Sequence, residues 1–296
     1  MDFRKYNSIE NSYQQKFVEK SFYNLDGYND FIVQEKIHGA NFAFYVSENW
    51  IKCAKRTGFI LEWEDFFNYQ KVLEDNSFSL IELQKEIGDC IVFGELFGGS
   101  VQKEVFYCTE KKFYAFDIIV DWNYLTVDEC VSLFDKHGFL YAKVLKRGTM
   151  QECFEYDVNQ NSLLASELSP ELPKYLNGVN IMEGVVIRPN ESKFIGESRI
   201  IFKKKTEWFS EKKAPDKVAF DTSSFEQYEI YITKPRLDNI VSKYGEIKEK
   251  KDLPVYAGYF MKDIVEDMAK DWIELSSQAN KYMFSKSLKF VLANLF

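Results

Sequence analysis

The hydrophobic pattern of the chain changes near residue 216. Before that point, short apolar runs rich in β-branched and aromatic residues alternate with turns, and they predict strands at 31–37, 41–46, 50–55, Cys90–Phe97, Lys112–Val120, Tyr141–Leu145, Met182–Arg188 and Arg199–Lys205. After it, helical spacing prevails over 225–244, 256–277 and 280–295. We therefore predict an α+β domain over 1–215 and a small all-helical domain over 216–296, divided in the basic stretch Ser210–Lys217.

Helices are also predicted between the strands of the first domain. Apolar spacing indicates a helix over 64–87, with a break near Asn76-Ser77 and a stop at Gly88. Thr126 and Glu129 form a capping box at the start of a helix that ends near Gly138. Two short helices follow at about 149–157 and 160–168, and the strands between 31 and 55 are predicted to form a meander.

Composition excludes several classes of protein. Hydrophobic residues make up 46% of the chain and aromatic residues 17%, which excludes wholesale disorder. No apolar run approaches the ~20 residues of a membrane helix, and the N-terminus lacks a signal-peptide pattern. The five cysteines are scattered, so we expect free thiols, and with two histidines a zinc site is disfavoured. We expect a monomer in the cytoplasm or another intracellular compartment, without membrane association.

Charge is distributed unevenly along the chain. The net charge of −8 argues against general binding of polyanions. Six lysines nevertheless fall between positions 203 and 217. This cluster predicts a local basic surface that binds phosphate groups at one face.

One lysine has the neighbours expected of a nucleophile. Residues 35–42 read Glu-Lys-Ile-His-Gly-Ala-Asn-Phe. A lysine amine is protonated at neutral pH until burial, neighbouring cations or a metal lower its pKa. Gly39 allows a tight bend after His38, and Asn41 offers an amide nearby. On its own, this segment does not exclude an ordinary strand-end lysine at position 36.

Three residues farther along would suit a nucleotide. Arg56 presents a fork that binds phosphate, although a surface ion pair is its commoner use. Glu95 lies in an apolar strand, where it needs a partner such as a ribose hydroxyl or an arginine. Phe116 is suited to stacking on a purine or to plain core packing.

Acidic and basic residues near the end of the first domain would suit a metal and a triphosphate. Glu183 precedes a β-branched run and could hold a divalent metal. Lys203 and Lys205 alternate on strand spacing, so both point to one face and Lys204 to the other. Two cations on one face favour a bound anion. The alternative is a solvated edge strand whose lysines prevent pairing with another strand.

The order of these motifs resembles a known superfamily. The chain presents, in sequence, Lys-x-His-Gly, Gly-Glu-Leu-Phe-Gly, Phe-Tyr-Ala-Phe-Asp, Glu-Gly-Val-Val-Ile-Arg and Lys-x-Lys. This is similar to the five-motif pattern of the covalent nucleotidyltransferases, which include ATP-dependent ligases and mRNA capping enzymes. Within that group, 35–42, 53–58 and 205–213 resemble the family of phage RNA ligase 2 and the kinetoplastid RNA-editing ligases. Segments 6–11 and 241–247 resemble it too, so the likeness spans nearly the whole chain.

The resemblance implies an ATP-dependent RNA ligase used in RNA repair. It implies an ATP-grasp-like nucleotidyltransferase domain of antiparallel sheets with flanking helices, with ATP and Mg²⁺ as cofactors, Mn²⁺ as an alternative metal, and nicked duplex RNA as partner. By this resemblance, Lys36 would be the adenylated lysine, His38 would act in sealing, and the adenylate would be contacted by Glu35, Ile37 and Asn41. The phosphate of the adenylate would be bound by Arg56, its ribose by Glu95, and its adenine would stack on Phe116. The metal or the nucleotide would be bound by Glu183, and the α-phosphate by Lys203 and Lys205. In the helical domain, Arg236 and Asp263 are candidates for steps on RNA. Gln34 departs from the family where a basic residue can occur, which would alter contact with the RNA strand.

Two alternatives stay open. A DNA ligase or a capping-type nucleotidyltransferase usually has an OB-fold after the first domain, whereas 225–295 is predicted to be helical. A non-catalytic nucleotide- or RNA-binding protein of the same fold would keep the pocket without needing the lysine.

Overall fold

The computed structural model describes residues 1–170, 179–210, 225–247, 249–271 and 273–295. The chain divides into two compact units, Met1–Thr206 and Glu207–Phe296. The predicted domain boundary at 215–216 lies outside the described residues. No helix in the described part has the length and apolar composition needed to span a bilayer.

The first unit alternates strands with helices along the chain. In order, the elements are β1 (Glu10–Asn11), α1 (Gln15–Asn24), β2 (Phe31–Lys36), β3 (Ala40–Ser47), β4 (Trp50–Lys55), β5 (Gly58–Phe59), α2 (Gln70–Ile87), β6 (Cys90–Phe97), β7 (Lys112–Val120), β8 (Asn123–Tyr124), α3 (Val127–Lys136), β9 (Val144–Gly148), α4 (Met150–Phe154), α5 (Leu163–Leu168), β10 (Gly184–Pro189), β11 (Phe194–Ile195), β12 (Ser198–Arg199) and β13 (Phe202–Lys205).

These strands form two larger sheets. Sheet A has the order β1-β13-β10-β2-β9, and sheet B has the order β5-β4-β3-β6-β7-β8. Every pairing inside them is antiparallel except that of β1 with β13. The predicted α+β architecture of antiparallel sheets is therefore present.

The two sheets share a buried interface, and helices cover their outer faces. Alternate residues of β3 and β6, including Ala43, Tyr45 and Phe93, pack in the interface with Tyr6. The opposite face of sheet B packs on α2 and α3, and the opposite face of sheet A packs on α1 and α4. Because side chains alternate along a strand, each central strand supplies one row to the interface and one to an outer core.

The predicted meander over 31–55 is wrong. β2 pairs with β10 and β9 in sheet A, whereas β3 pairs with β4 and β6 in sheet B. The chain crosses between the sheets at Gly39, where an added Cβ would lie 2.4 Å from the Leu96 carbonyl oxygen. The three-residue connection has hairpin length, so sequence spacing does not reveal the crossing.

Several predicted boundaries shift. Helix α2 continues through Asn76 and Ser77, whose side chains donate to the helix carbonyls of Val72 and Glu74. The capping box of Thr126 and Glu129 is present. The strand predicted at 141–145 is replaced by β9, because residues 140–142 hydrogen-bond instead to Ala115 of sheet B.

The described part of the second unit is helical. It contains a 3₁₀ helix over Phe225–Tyr231 and three α-helices, α6 (Lys234–Tyr244), α7 (Leu253–Lys270) and α8 (Ser277–Leu295). Their apolar faces form one core that includes Leu237, Phe260 and Met283. The prediction of helices in this region is confirmed, with boundaries moved by several residues.

Candidate active site

The interface of the two sheets brings most of the predicted site residues together. On sheet B, Asn41 pairs directly with Glu95, in the strand rows that continue into the interface core. On sheet A, Lys36 and Lys205 both pair with Gly184 of the strand between them. Residues scattered over the sequence thus line one end of one interface.

The Glu183 carboxylate is the centre of this group. Its Oε2 lies 2.9 Å from Lys36 Nζ, and its Oε1 lies 2.9 Å from Lys205 Nζ. The Glu183 side chain is 1% exposed, against 18% for Lys36. Burial raises the pKa of Glu183, but Lys205, Lys36 and His38 outweigh it and hold the pKa well below its usual range. Glu183 is therefore ionised and fixed between two amines.

Gly184 makes this convergence feasible. An added Cβ at Gly184 would lie 2.1 Å from the Lys204 carbonyl oxygen and 2.7 Å from Lys205 Cα. Strand β10 therefore lies close to β13 at this point, where Thr206 N also donates to Glu183 O at 3.0 Å. The glycine in the Glu-Gly-Val-Val motif is thus a requirement of packing between the two strands.

His38 lies beside the Glu183 carboxylate. Its Nδ1 is 3.3 Å from Glu183 Oε2, and its Nε2 is 2.9 Å from Oε2 of Glu104. Burial lowers the pKa of His38, but hydrogen bonds to Glu104 and Glu183 outweigh it, so that the pKa is raised. An ionised carboxylate only accepts hydrogen bonds, so a ring between two of them is best satisfied when both nitrogens donate. The geometry thus favours an imidazolium at position 38.

Glu95 is the least satisfied acid of the site. Burial raises its pKa to about 7, with repulsion from Glu183 adding to the effect and Lys36 opposing it. Within the described residues, neither Glu95 nor its partner Asn41 makes a side-chain hydrogen bond. A partly buried polar pair left in this way is suited to a ligand's hydroxyl or amino groups.

Arg56 and Phe116 lie at the edges of the same interface. Burial lowers the pKa of Arg56, and its Nη1 donates to Asn7 O at 3.4 Å. Arg56 also interacts electrostatically with Glu95. The Phe116 ring contacts the Tyr6 ring edge-on at 5.2 Å and is half-buried. Arg56 therefore adjoins Glu95, and Phe116 packs beside Tyr6 in the same interface.

The side chain of Glu35 does not join this group. Residue 35 alternates with Lys36 across sheet A, and its carboxylate accepts from Ser162 Oγ at 2.6 Å and from the backbone N–H groups of Leu163 and Leu164. This carboxylate therefore binds the N-terminus of α5. Ile37 is buried. Because the Glu35 carboxylate is already bound at α5, only the main chain of Glu35 remains to contact a nucleotide.

The three lysines of β13 divide between the two faces of the strand. Lys204 Nζ donates to the carbonyl oxygens of Phe154 and Tyr156 on the outer face. Lys203 pairs with Val186, whose side chain packs in the interface core, so it shares the face of Lys205. The alternation deduced from the sequence therefore matches the structure.

A buried ionic network behind the site was missed by sequence reasoning. Asp117 of sheet B is fully buried and binds Arg188 Nη1 at 2.6 Å and Arg199 Nη1 at 2.7 Å. Tyr6 OH donates to Asp117 Oδ2 at 2.6 Å, and Arg188 Nε donates to Gln34 at 3.1 Å. Gln34, which departs from the family where a basic residue can occur, is thus a buried partner of Arg188. The sequence signal for this network was Arg188, an arginine near the end of an apolar strand.

Arg236 and Asp263 form an ion pair within the helical unit. Arg236 is 1% exposed and binds Asp263 at 2.6 Å and Asp267 at 2.7 Å. Asp263 also binds Lys243 at 2.8 Å. These contacts favour a structural role for Arg236 over a direct contact with RNA.

The acids of the site suit a divalent metal only as part of a larger shell. Both oxygens of Glu183 already contact cationic groups, and no cluster of three His, Cys, Asp or Glu suited to a metal occurs within the described ranges. Mg²⁺ typically binds one or two carboxylates and completes its shell with water and phosphate oxygens. The donor set fits that mode and does not form an all-protein cage.

Comparison with known proteins adds two family matches. The RNA ligase family model matches residues 29–205, and the T4 RNA ligase 2 C-terminal model matches residues 221–289. RNA-editing ligase 2, mitochondrial, of Trypanosoma brucei brucei is 30% identical over 201 residues, covering 53% of this chain and 48% of that protein. RNA-editing ligase 1, mitochondrial, of the same organism is 29% identical over 209 residues, covering 54% and 44%. The chain thus spans about half the length of these relatives.

Solved structures show the same fold. A Naegleria gruberi RNA ligase variant with ATP and Mn superposes with a TM-score of 0.53 at 19% identity, covering 70% of this chain and 58% of that chain. The Naegleria gruberi RNA ligase with PPi gives a TM-score of 0.52 at 20% identity, covering 69% and 56%. The predicted nucleotidyltransferase fold is confirmed by this likeness.

Proposed function

We propose, from the premise that this chain belongs to the RNA ligase family, that it is an ATP-dependent RNA ligase that joins a 3′-hydroxyl to a 5′-phosphate. The observation that supports this most directly is Lys36, held at 2.9 Å by a buried carboxylate in the interface of the two sheets. A fixed lysine among further cations suits covalent transfer of a nucleotidyl group.

In the first step, the Lys36 amine attacks the α-phosphorus of ATP. The new N–P bond forms as the bond to pyrophosphate breaks, and the proton lost from the amine passes to solvent. Because an amine in an ion pair is not nucleophilic, Lys36 must first leave Glu183. Lys205, and Lys203 on the same face, stabilise negative charge that develops on the α-phosphate oxygens.

Two further transfers complete the reaction. The RNA 5′-phosphate displaces Lys36 from the α-phosphorus, forming an RNA adenylate. The 3′-hydroxyl then attacks the 5′-phosphorus, the new phosphodiester forms, and AMP leaves. A divalent ion, when bound, supplies additional neutralisation of phosphate charge.

The remaining site residues would hold the nucleotide. Glu95 would accept the ribose hydroxyls, Phe116 would stack on adenine, and Arg56 would bind a phosphate. Asn41, Ile37 and the main chain of Glu35 would contact the adenylate. Glu183 would orient the nucleotide or its metal after Lys36 departs. The similar Naegleria gruberi RNA ligase structure contains ATP and Mn, which supports a requirement of this chain for ATP and a divalent metal, Mg²⁺ or Mn²⁺.

Covalent labelling tests the first step. The protein is incubated with α-labelled ATP and Mg²⁺, denatured, and analysed for label on the chain. We expect acid-labile label on the wild type and on Lys204→Ala, whose amine faces away from the site, and none on Lys36→Ala. Equal label on Lys36→Ala would refute the mechanism, and label from GTP alone would indicate a capping enzyme.

We propose nicked duplex RNA as the preferred substrate and a monomer as the active species. The family matches support an RNA substrate in general. Sealing of a nicked duplex is compared with circularisation of a single strand at equal enzyme concentration. Faster circularisation would contradict the preference for a nicked duplex. Retention of RNA in a filter-binding assay without ATP-dependent joining would favour a non-catalytic binding protein.

A further inference from the structure

A loop that sequence reasoning did not single out holds His38 at two points. Residues 98–111 connect β6 to β7. Within that loop, Tyr107 OH accepts from the His38 backbone N–H at 2.9 Å, and Glu104 Oε2 lies 2.9 Å from His38 Nε2. The His38 side chain is 5% exposed, so solvent contributes little to its orientation.

The loop is itself anchored to the rest of the unit. Asn180 accepts from Phe106 N at 3.0 Å and donates to Phe106 O at 2.7 Å. Ser169 Oγ donates to Tyr107 O at 2.8 Å. The backbone is therefore anchored two and three positions after Glu104, and the Glu104 carboxylate also accepts from Lys103 N at 3.1 Å.

Of the Glu104 and Glu183 contacts to the imidazole ring in the described part of the chain, the Glu104 contact is the shorter. Nε2 lies 2.9 Å from Glu104, whereas Nδ1 lies 3.3 Å from Glu183. A ring held firmly at Nε2 keeps Nδ1 directed at the same Glu183 oxygen that binds Lys36. We propose that Glu104 is a positioning residue for His38, and that it acts through the imidazole on the Glu183 carboxylate during sealing.

This inference rests on the proposed function, so its test separates the steps. Sealing is measured with pre-adenylylated nicked duplex RNA, which bypasses the reaction with ATP. We expect Glu104→Ala to reduce the sealing rate by at least ~10-fold, since one charge-assisted hydrogen bond is lost. Glu104→Gln should recover much of the rate, because its amide oxygen still accepts from Nε2–H.

A double-mutant cycle distinguishes positioning from general support of the fold. In a His38→Ala background, Glu104→Ala should change sealing by less than about 2-fold, since the ring through which it acts is absent. An equal loss in both backgrounds would overturn the proposal. Glu110→Ala is the matched control, because Glu110 lies in the same loop, is largely exposed and pairs only weakly with Lys112 at 3.9 Å.

Nuclear magnetic resonance of the imidazole groups gives a readout that needs no activity. The chain has two histidines, so ¹⁵N-histidine labelling yields two ring systems, and His137, bound to Glu86 at 2.6 Å, is the internal reference. We expect Glu104→Ala to shift the ring resonances of His38 and leave those of His137 in place. Unchanged His38 resonances would overturn the proposal, whereas a wild type that neither labels nor seals would contradict the ligase function alone.

Discussion

Glu183 Oε2 lies 2.9 Å from Lys36 Nζ, although 147 positions separate the two residues in the chain. The carboxylate also binds Lys205, so one buried charge holds two amines of the site. In this arrangement Lys36 is paired with Glu183, and nucleotide phosphates would offer an anion that competes with Glu183 for Lys36. Substitutions at Glu183 should therefore affect both the stability of the fold and the proposed first chemical step.

We expect Glu183→Gln to reduce lysyl-adenylate formation by about 100-fold and to lower the melting temperature. Removing the acid leaves buried cations without a counter-charge, which costs roughly 3 kcal/mol. Labelling with α-labelled ATP and thermal unfolding measure the two effects. The control is Glu191→Gln, whose exposed pair with Lys193 contributes ~0–1 kcal/mol. Wild-type labelling in Glu183→Gln would contradict this role.

Asp117→Asn should destabilise the first unit by roughly 3–5 kcal/mol, because Arg188 and Arg199 lose their buried counter-charge. Burial raises the pKa of Asp117, but the two arginines outweigh it and lower the pKa to about 2. The stabilisation is thus present above the unfolded value of about 3.9 and is lost as the pH falls toward 2. Urea unfolding should show that the difference in free energy of unfolding between wild type and variant becomes smaller as the pH falls below 4. A difference that stays constant with pH would refute the lowered pKa of Asp117.

Glu95→Gln should stabilise the protein increasingly as the pH rises from about 4.3 to 7. The pKa of Glu95 is raised to about 7, so the folded protein binds more protons than the unfolded chain in this window and wild-type stability declines. The slope attributable to one such group is at most about 1.4 kcal/mol per pH unit. Differential scanning calorimetry of both proteins from pH 5 to 8 measures it. If the melting temperatures of both proteins changed equally with pH, Glu95 would be ionised over the whole range from pH 5 to 8.

Gly184→Ala should destabilise the fold by ~1–3 kcal/mol and reduce adenylation, because its Cβ would overlap the Lys204 carbonyl oxygen at 2.1 Å. Chemical unfolding and ATP labelling report the two effects. Gly258→Ala is the contrasting case, since nothing lies within 4 Å of its added Cβ in α7 and an alanine there favours the helix by up to ~1 kcal/mol. Destabilisation by both substitutions to the same degree would refute the packing argument.

Strand periodicity predicts the faces of some site residues, whereas their proposed roles come from the family resemblance. The alternation of Lys203, Lys204 and Lys205 gave the faces of β13, and apolar runs gave β6 and β7 to the residue. The same alternation, applied to β2, separates Glu35 from Lys36. What spacing did not reveal was that the chain changes sheets at Gly39, because a close approach of backbones leaves no signal beyond the glycine itself.

Groups held by long-range contacts were the harder part to predict. Glu104 lies in a loop without periodicity, and its relation to His38 depends on where that loop folds back. Asp117 and its arginines come from three distant segments. An isolated acid in an apolar strand indicates that a partner exists, but it does not identify which of the basic residues in the chain fills that place.

The network at Asp117 also determines how the cleft between the sheets responds to mutation. Ion pairs and hydrogen bonds have narrow optima of length and angle, whereas apolar contacts tolerate sliding. Arg188 on sheet A and Asp117 on sheet B are therefore tied at a fixed separation next to Phe116, whose carbonyl oxygen accepts from Arg188 at 2.8 Å. This tie should therefore keep sheets A and B at the same separation beside Phe116 when the apolar residues around it are substituted.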